Sequence, residues 1–261
     1  MHKPSISAQG GGNLRREQKI SGQSIEKPAK IRYNKRRISA GLVFLMLLFG
    51  GCTVMNTSME PSSTRAPDFI LDAGHGGFDG GASSADGLLE KDINLQITLQ
   101  LRELLERSGY IVLLTRDRDI ATSDPSAGTL REKKRTDIAN RFQLMRQFPD
   151  AVFLSIHQNH FTQSKYSGAQ FFYAPNDDAS RALAGCLRDA VRARLQPENT
   201  REIKPCGDSV YLIYHAPGTA VLAECGFLSN PQEAARLSDP AYQRAVAFTL
   251  YEGLLRNRAA E

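Results

Sequence analysis

Only four cysteines stand in the 261 residues, Cys52, Cys186, Cys206 and Cys225. No two of them make a CxxC pair or a zinc-ribbon spacing, which excludes a thiolate-bound metal module. Buried thiols are the simplest reading of the last three, although Cys186 and Cys206 could bridge in an oxidising exterior. No Cys–His or Ser–His pairing suggests a covalent nucleophile, and no internal repeat is visible. Basic charge is scarce where nucleic-acid binding would need it. Residues 1–37 hold ten Lys/Arg against Glu17 and Glu26, a net of +8 within a chain whose total is +5. That leaves the remainder at −3, so overall basicity is no argument for a nucleic-acid partner.

What is present begins at the N-terminus. The basic head ends in Lys35-Arg36-Arg37 and runs into residues 38–55, an uncharged and mostly apolar stretch. As a helix, this stretch would rise about 27 Å, enough for a bilayer core. Positive charge on its N-terminal flank predicts an inside-to-outside orientation. The expected organisation is therefore a basic cytoplasmic head over 1–37, a signal peptide or membrane anchor over 38–55, a Ser/Thr/Pro-rich linker over 56–66 and a folded body over 67–257. Phe49-Gly50-Gly51-Cys52 resembles a lipobox. Lipidation at Cys52, an uncleaved signal anchor and simple secretion all remain open, and the expected location is extracytoplasmic and membrane-anchored.

From Asp68 onward, apolar runs alternate with helix-period segments. Strands are predicted over 69–72, 110–115, 151–156, 169–173, 209–214 and 220–225. Helices are predicted over 93–107, 133–148, 179–195 and 242–256. The first helix carries Ile93, Ile97, Leu101, Leu104 and Leu105 on one face and stops at Gly109. Strands apolar on both faces, alternating with helices, predict an α/β fold: a largely parallel, twisted six-stranded sheet with helices on both faces.

The chemistry-bearing residues fall on one predicted rim of that sheet. His75 follows the first strand in Asp72-Ala73-Gly74-His75-Gly76-Gly77, and His157 follows the third in Ser155-Ile156-His157-Gln158-Asn159. Glu224 closes the apolar run Ala220-Val221-Leu222-Ala223, where a carboxylate is costly unless paired or used. Glu90, in Glu90-Lys91-Asp92, opens the first long helix. Two His and one carboxylate around an open position form a common catalytic zinc shell, and a second carboxylate beside it could act as general base. Taken singly, each has a plainer reading: a structural His, or a solvated charge at a helix start. His160 reads as a surface loop residue and His215 as a turn residue. Asn159 could bind substrate or cap its loop, and Asp72 could orient a metal-binding His or cap a turn.

The four segments, with Ala223-Glu224-Cys225-Gly226-Phe227-Leu228-Ser229-Asn230 as the last, resemble in order and spacing the zinc-dependent N-acetylmuramoyl-L-alanine amidases. The resemblance covers about residues 67–257. It implies zinc (Zn2+) as cofactor, with His75, Glu90 and His157 as its ligands and Glu224 as the catalytic residue. Alanine at position 73 and Gln158 depart from the family pattern without touching a proposed ligand. Gly168 to Tyr173 and Asn199 to Lys204 look most like the germination-specific amidases of endospore formers, which prepare the spore cortex for muramic-lactam formation.

The implied activity is hydrolysis of the amide between N-acetylmuramic acid and L-alanine in peptidoglycan, with the wall polymer as substrate and an accessory activator protein left open as a partner. The rivals are a zinc peptidase cutting within the stem peptide and a non-catalytic peptidoglycan-binding protein. The last helix reaches the end of the chain, which predicts no appended wall-binding module. The 67 residues from His157 to Glu224 lack the periodicity of a further docking helix, which predicts an unblocked site.

Overall fold

A computed structural model describes residues 65–259 of the chain. The basic head, the apolar stretch and most of the expected linker lie outside the described residues. Within them, no helix is long and apolar enough to cross a membrane.

Six strands form one sheet in the order β2-β1-β3-β6-β4-β5: β1 (Phe69–Ala73), β2 (Val112–Leu114), β3 (Val152–Asn159), β4 (Gln170–Tyr173), β5 (Lys204–Pro205) and β6 (Ala220–Phe227). β1 pairs in parallel with β2 and β3, β3 with β6, and β4 with β5; the β4–β6 pair is antiparallel. β1 is buried along its whole length and β3 and β6 along most of theirs, as strands covered on both faces must be. Alternate residues feed two separate cores. Phe69, Leu71, Leu154, Ile156, Val221 and Ala223 pack in the larger one, beneath α1 (Glu90–Arg107), α3 (Asp178–Arg194) and α6 (Pro240–Arg258). Ile70, Phe153, Ala220 and Leu222 pack in the smaller one with Met145 of α2 (Leu130–Gln147) and Ile213 of α4 (Tyr211–Tyr214).

The helices follow from their sequences. In α1, Ile93, Ile97, Leu101 and Leu105 are all buried, and each such side chain contributes roughly 1.5–3 kcal/mol relative to exposure. Gly109, at φ +86°, ends it. α2 starts on a capping box, with Thr129 Oγ1 accepting from Glu132 N while the Glu132 carboxylate accepts from Thr129 N.

Three expectations are corrected. Residues 209–214 do not form a strand: Tyr211–Tyr214 is one helical turn, and the sixth strand is Lys204–Pro205, paired beside β4. The apolar run serves the smaller core through Val210, Leu212 and Ile213. A further helix, α5 (Pro231–Ser238), precedes α6; Asn230 caps it and Pro231 occupies its first turn. α1 also starts three residues earlier than its apolar pattern suggests, at Glu90. The three cysteines among the described residues are free thiols, with Cys206 and Cys225 buried.

Candidate active site

β-Strand register assembles the site. His157 of β3 lies opposite Glu224 of β6, and Gln170 of β4 lies opposite Glu224 on its other side. Paired residues project from the same face. Counting from Phe153 and Leu222, that is the face of the smaller core, beyond the part covered by α2 and α4. His157 therefore sits within its strand, not after it, because β3 continues to residue 159, and Glu224 lies inside β6 as expected, although that strand runs on to residue 227. Glu90 reaches the same place from the first position of α1. It is 3% exposed, which rules out a solvated helix-start charge.

His75, Glu90 and His157 offer ligand atoms that all lie within 4.8 Å of one another. His157 Nδ1 is 2.9 Å from Glu90 Oε1, and His75 Nε2 is 3.2 Å from Glu90 Oε2. The two imidazoles meet edge to face at 4.9 Å, and about a quarter of each side chain remains exposed. Two glycines make this closeness feasible. A Cβ at Gly74 would collide with the His157 ring, and one at Gly81 would lie 2.5 Å from Glu90 Oε2 and 2.7 Å from His75 Cδ2.

His75 itself adopts φ +62°, a costly conformation for a residue with a side chain. The surroundings hold it there. Arg141 Nη2 donates to the His75 carbonyl at 2.7 Å and Nη1 to the Ala73 carbonyl at 2.9 Å. Arg116 donates to the carbonyls of Ala73 and Gly74. His75 Nδ1 is 2.9 Å from Asp79 Oδ2, the carboxylate–imidazole contact that orients many metal-binding histidines. Asp79 in turn contacts Lys134 at 3.3 Å. Sequence reasoning missed Asp79; its signal was a carboxylate four residues after His75 in the same glycine-rich loop. Asp72, considered for that orienting role, touches neither histidine. It accepts from Thr115, Arg141 and Ser155.

Electrostatics separates the two glutamates. Burial alone would raise Glu90, but hydrogen bonds and charge from His157 and His75 hold its carboxyl far below the ordinary carboxylate range. Burial alone would lower His75, yet Glu90 and Asp79 lift it to about 9. Glu224 has no hydrogen bonds of this kind among the described residues. It is half-buried as a residue, and its Oε2 is shut from solvent without a hydrogen-bond partner among the described residues. Burial pushes its carboxyl up to about 7, with Glu90 adding to the rise and His157 and His75 opposing it. A carboxyl poised near neutral can both accept and return a proton. Two imidazoles and one carboxylate, with access from one side, are a donor set that suits zinc.

The other sequence candidates lie apart from this chemistry. Asn159 ends β3 beyond a register shift, and its carbonyl accepts from Leu228 N at 2.8 Å. His160 is exposed just after β3. His215 caps α4 and stacks on Tyr211 at 4.5 Å.

The family model described as N-acetylmuramoyl-L-alanine amidase matches residues 69–256. The germination-specific N-acetylmuramoyl-L-alanine amidase of Bacillus subtilis is 35% identical over 218 residues, 83% of this chain and 91% of that protein. The CwlD amidase of Clostridioides difficile, solved in complex with the GerS lipoprotein, superposes with a TM-score of 0.72 at 41% identity, covering 75% of this chain and all of that one. The catalytic domain of CwlV, an N-acetylmuramoyl-L-alanine amidase from Bacillus (Paenibacillus) polymyxa, superposes at 0.61 with 27% identity, covering 74% of this chain and 98% of that one.

Proposed function

Since the chain belongs to the N-acetylmuramoyl-L-alanine amidase family and is a peptidoglycan amidase, we propose that it works as a zinc hydrolase with His75, Glu90 and His157 as metal ligands and Glu224 as the catalytic base. The observation that carries this reading is the Glu224 carboxyl, raised to about 7 and with its Oε2 unpartnered among the described residues, in register beside a His–Glu–His donor set. Zinc, when bound, supplies Lewis-acid polarisation of the lactyl carbonyl and lowers the pKa of water towards ~7. The remaining steps fall to the protein. Glu224 takes a proton from the attacking water and returns it to the departing L-alanine nitrogen, so one group serves as base and then acid. Asp79 keeps the His75 ring turned so that Nε2 faces the centre. Asn159, two residues beyond His157 on β3, is assigned to substrate.

The biological setting belongs to the same proposal. Likeness to the germination-specific enzyme supports a role in spore-cortex processing. Likeness to an amidase solved with a lipoprotein supports an accessory protein partner for this chain. The apolar stretch over 38–55 behind a basic head supports an extracytoplasmic, membrane-tethered enzyme.

Digestion of purified peptidoglycan with the zinc-loaded protein tests the chemistry. Mass spectrometry is expected to find free L-alanine amino termini and intact lactyl groups, and chelation is expected to abolish the products. Cleavage within the stem peptide, or full activity without metal, would overturn the reading.

A further inference from the structure

Asn199 to Lys204 take no part in the chemistry above, yet they bring one cation to the edge of the site. Gln170 and Glu224 are cross-strand partners, so their Cβ atoms are about 5 Å apart on one face. Arg201 Nη1 donates to Gln170 Oε1 at 3.2 Å, and its Nε donates to the Ser167 carbonyl at 2.7 Å. The guanidinium also lies 4.6 Å from the Phe227 ring centroid and 5.9 Å from that of Tyr166. Two hydrogen bonds and two aromatic rings thus fix a half-buried cation one side chain away from Glu224.

No carboxylate pairs with it among the described residues. The nearby Arg188 and Arg192 both pair with Glu202. Glu233, which borders the same residues, is committed to the backbone N–H groups of Gly168 and Phe227. An arginine oriented in advance, with donors still available and no internal anion, is built to receive a carboxylate.

We propose that Arg201 binds a carboxylate of the stem peptide on the leaving-group side of the scissile amide. The second stem residue, a D-glutamate joined through its side chain, carries a free α-carboxylate. The ligand class is thus an acidic peptide. This assignment rests on the amidase reading of the His75, Glu90, His157 and Glu224 centre.

The test uses the zinc-loaded full chain and two solubilised peptidoglycans, one with D-glutamate stems and one in which that α-carboxylate is amidated. Wild type is expected to show about tenfold higher kcat/KM on the acidic polymer, chiefly through KM, as one charge-assisted contact predicts. Arg201→Gln is expected to bring the two polymers to parity by weakening only the acidic one, with zinc content and the rate on the amidated polymer unchanged. Arg201→Lys, which retains the charge, is expected to keep part of the preference. Equal rates for wild type, a preference that survives in Arg201→Gln, or equal losses on both polymers with lowered zinc content would overturn the proposal. If wild type released no L-alanine termini from either polymer, the amidase reading would fall first and the assignment with it.

Discussion

Two polar clusters share one face of the sheet, two residues apart along β3, and they are built on opposite terms. In the deeper one, both oxygens of Asp72 are used: Oδ1 accepts from Thr115 Oγ1 and Arg141 Nη1, and Oδ2 accepts from Ser155 Oγ. Burial alone would raise this carboxyl, but Arg141 and the hydroxyl donors bring it down to about 2. In the outer one, Glu224 Oε2 has no partner among the described residues and burial lifts the carboxyl to about 7. Removing a carboxyl from water therefore has no fixed outcome. Supplied with donors, it becomes a permanent anion that secures the His75 loop through Arg141; deprived of them, it is left with a pKa near neutral.

Breaking the outer cluster is expected to have the largest effect. Glu224→Gln should lower turnover on peptidoglycan roughly 10²–10⁴-fold, while zinc content stays at wild-type level and resistance to urea does not fall. A loss of only a few-fold would move the base elsewhere. Breaking the inner cluster should reverse that pattern. Arg141→Met leaves Asp72 charged and unpaired, and is expected to cost about 3–5 kcal/mol in urea unfolding. Adding Asp72→Asn should restore part of that loss, and an unchanged midpoint in the single variant would show that the pair is not structural.

The smallest effect concerns acid. Asp72 has a folded pKa below its unfolded value, so its stabilisation is complete above about pH 4 and lost as pH falls through about 2, amounting to about 2 kcal/mol. Glu224 has a raised folded pKa and acts in the opposite sense: its stabilisation is complete below its ordinary value of 4.5 and lost as pH rises through about 7. Stability curves of chelated protein should flatten between pH 4 and 2 in Asp72→Asn, and between pH 4 and 7 in Glu224→Gln. Identical curves for both variants and wild type would dissolve the contrast.

The sheet and its layers were legible because five of the six strands announce themselves as apolar runs between turn signals. The exception is informative. Ser209 to Tyr214 has the β-branched and aromatic content of a strand, but the edge beside β4 is filled by Lys204–Pro205, two residues too few to signal anything. α5 was overlooked although Asn230, Pro231 and Glu233 spell a capped helix start; its eight residues are too short for a clear period. The meeting of His75, Glu90, His157 and Glu224 was legible because each ends or opens a recognisable segment, and strands in a parallel sheet share a rim. Asp79 and Arg201 lie in loops without periodicity, where distance along the chain says nothing about distance in space.

The sequence by itself determined which elements form and which ionisable groups a parallel sheet must gather on one rim, because both depend on local periodicity and on strand direction. Only the tertiary structure decided what state those groups take. Asp72 and Glu224 are both carboxylates in apolar strands, indistinguishable by pattern. Their pKa values part because Arg141 arrives from α2, 69 residues away, to satisfy one, and no donor among the described residues arrives for the other. Desolvation and hydrogen bonding act through space between distant segments, and no pattern along the chain encodes which segment will supply the donor.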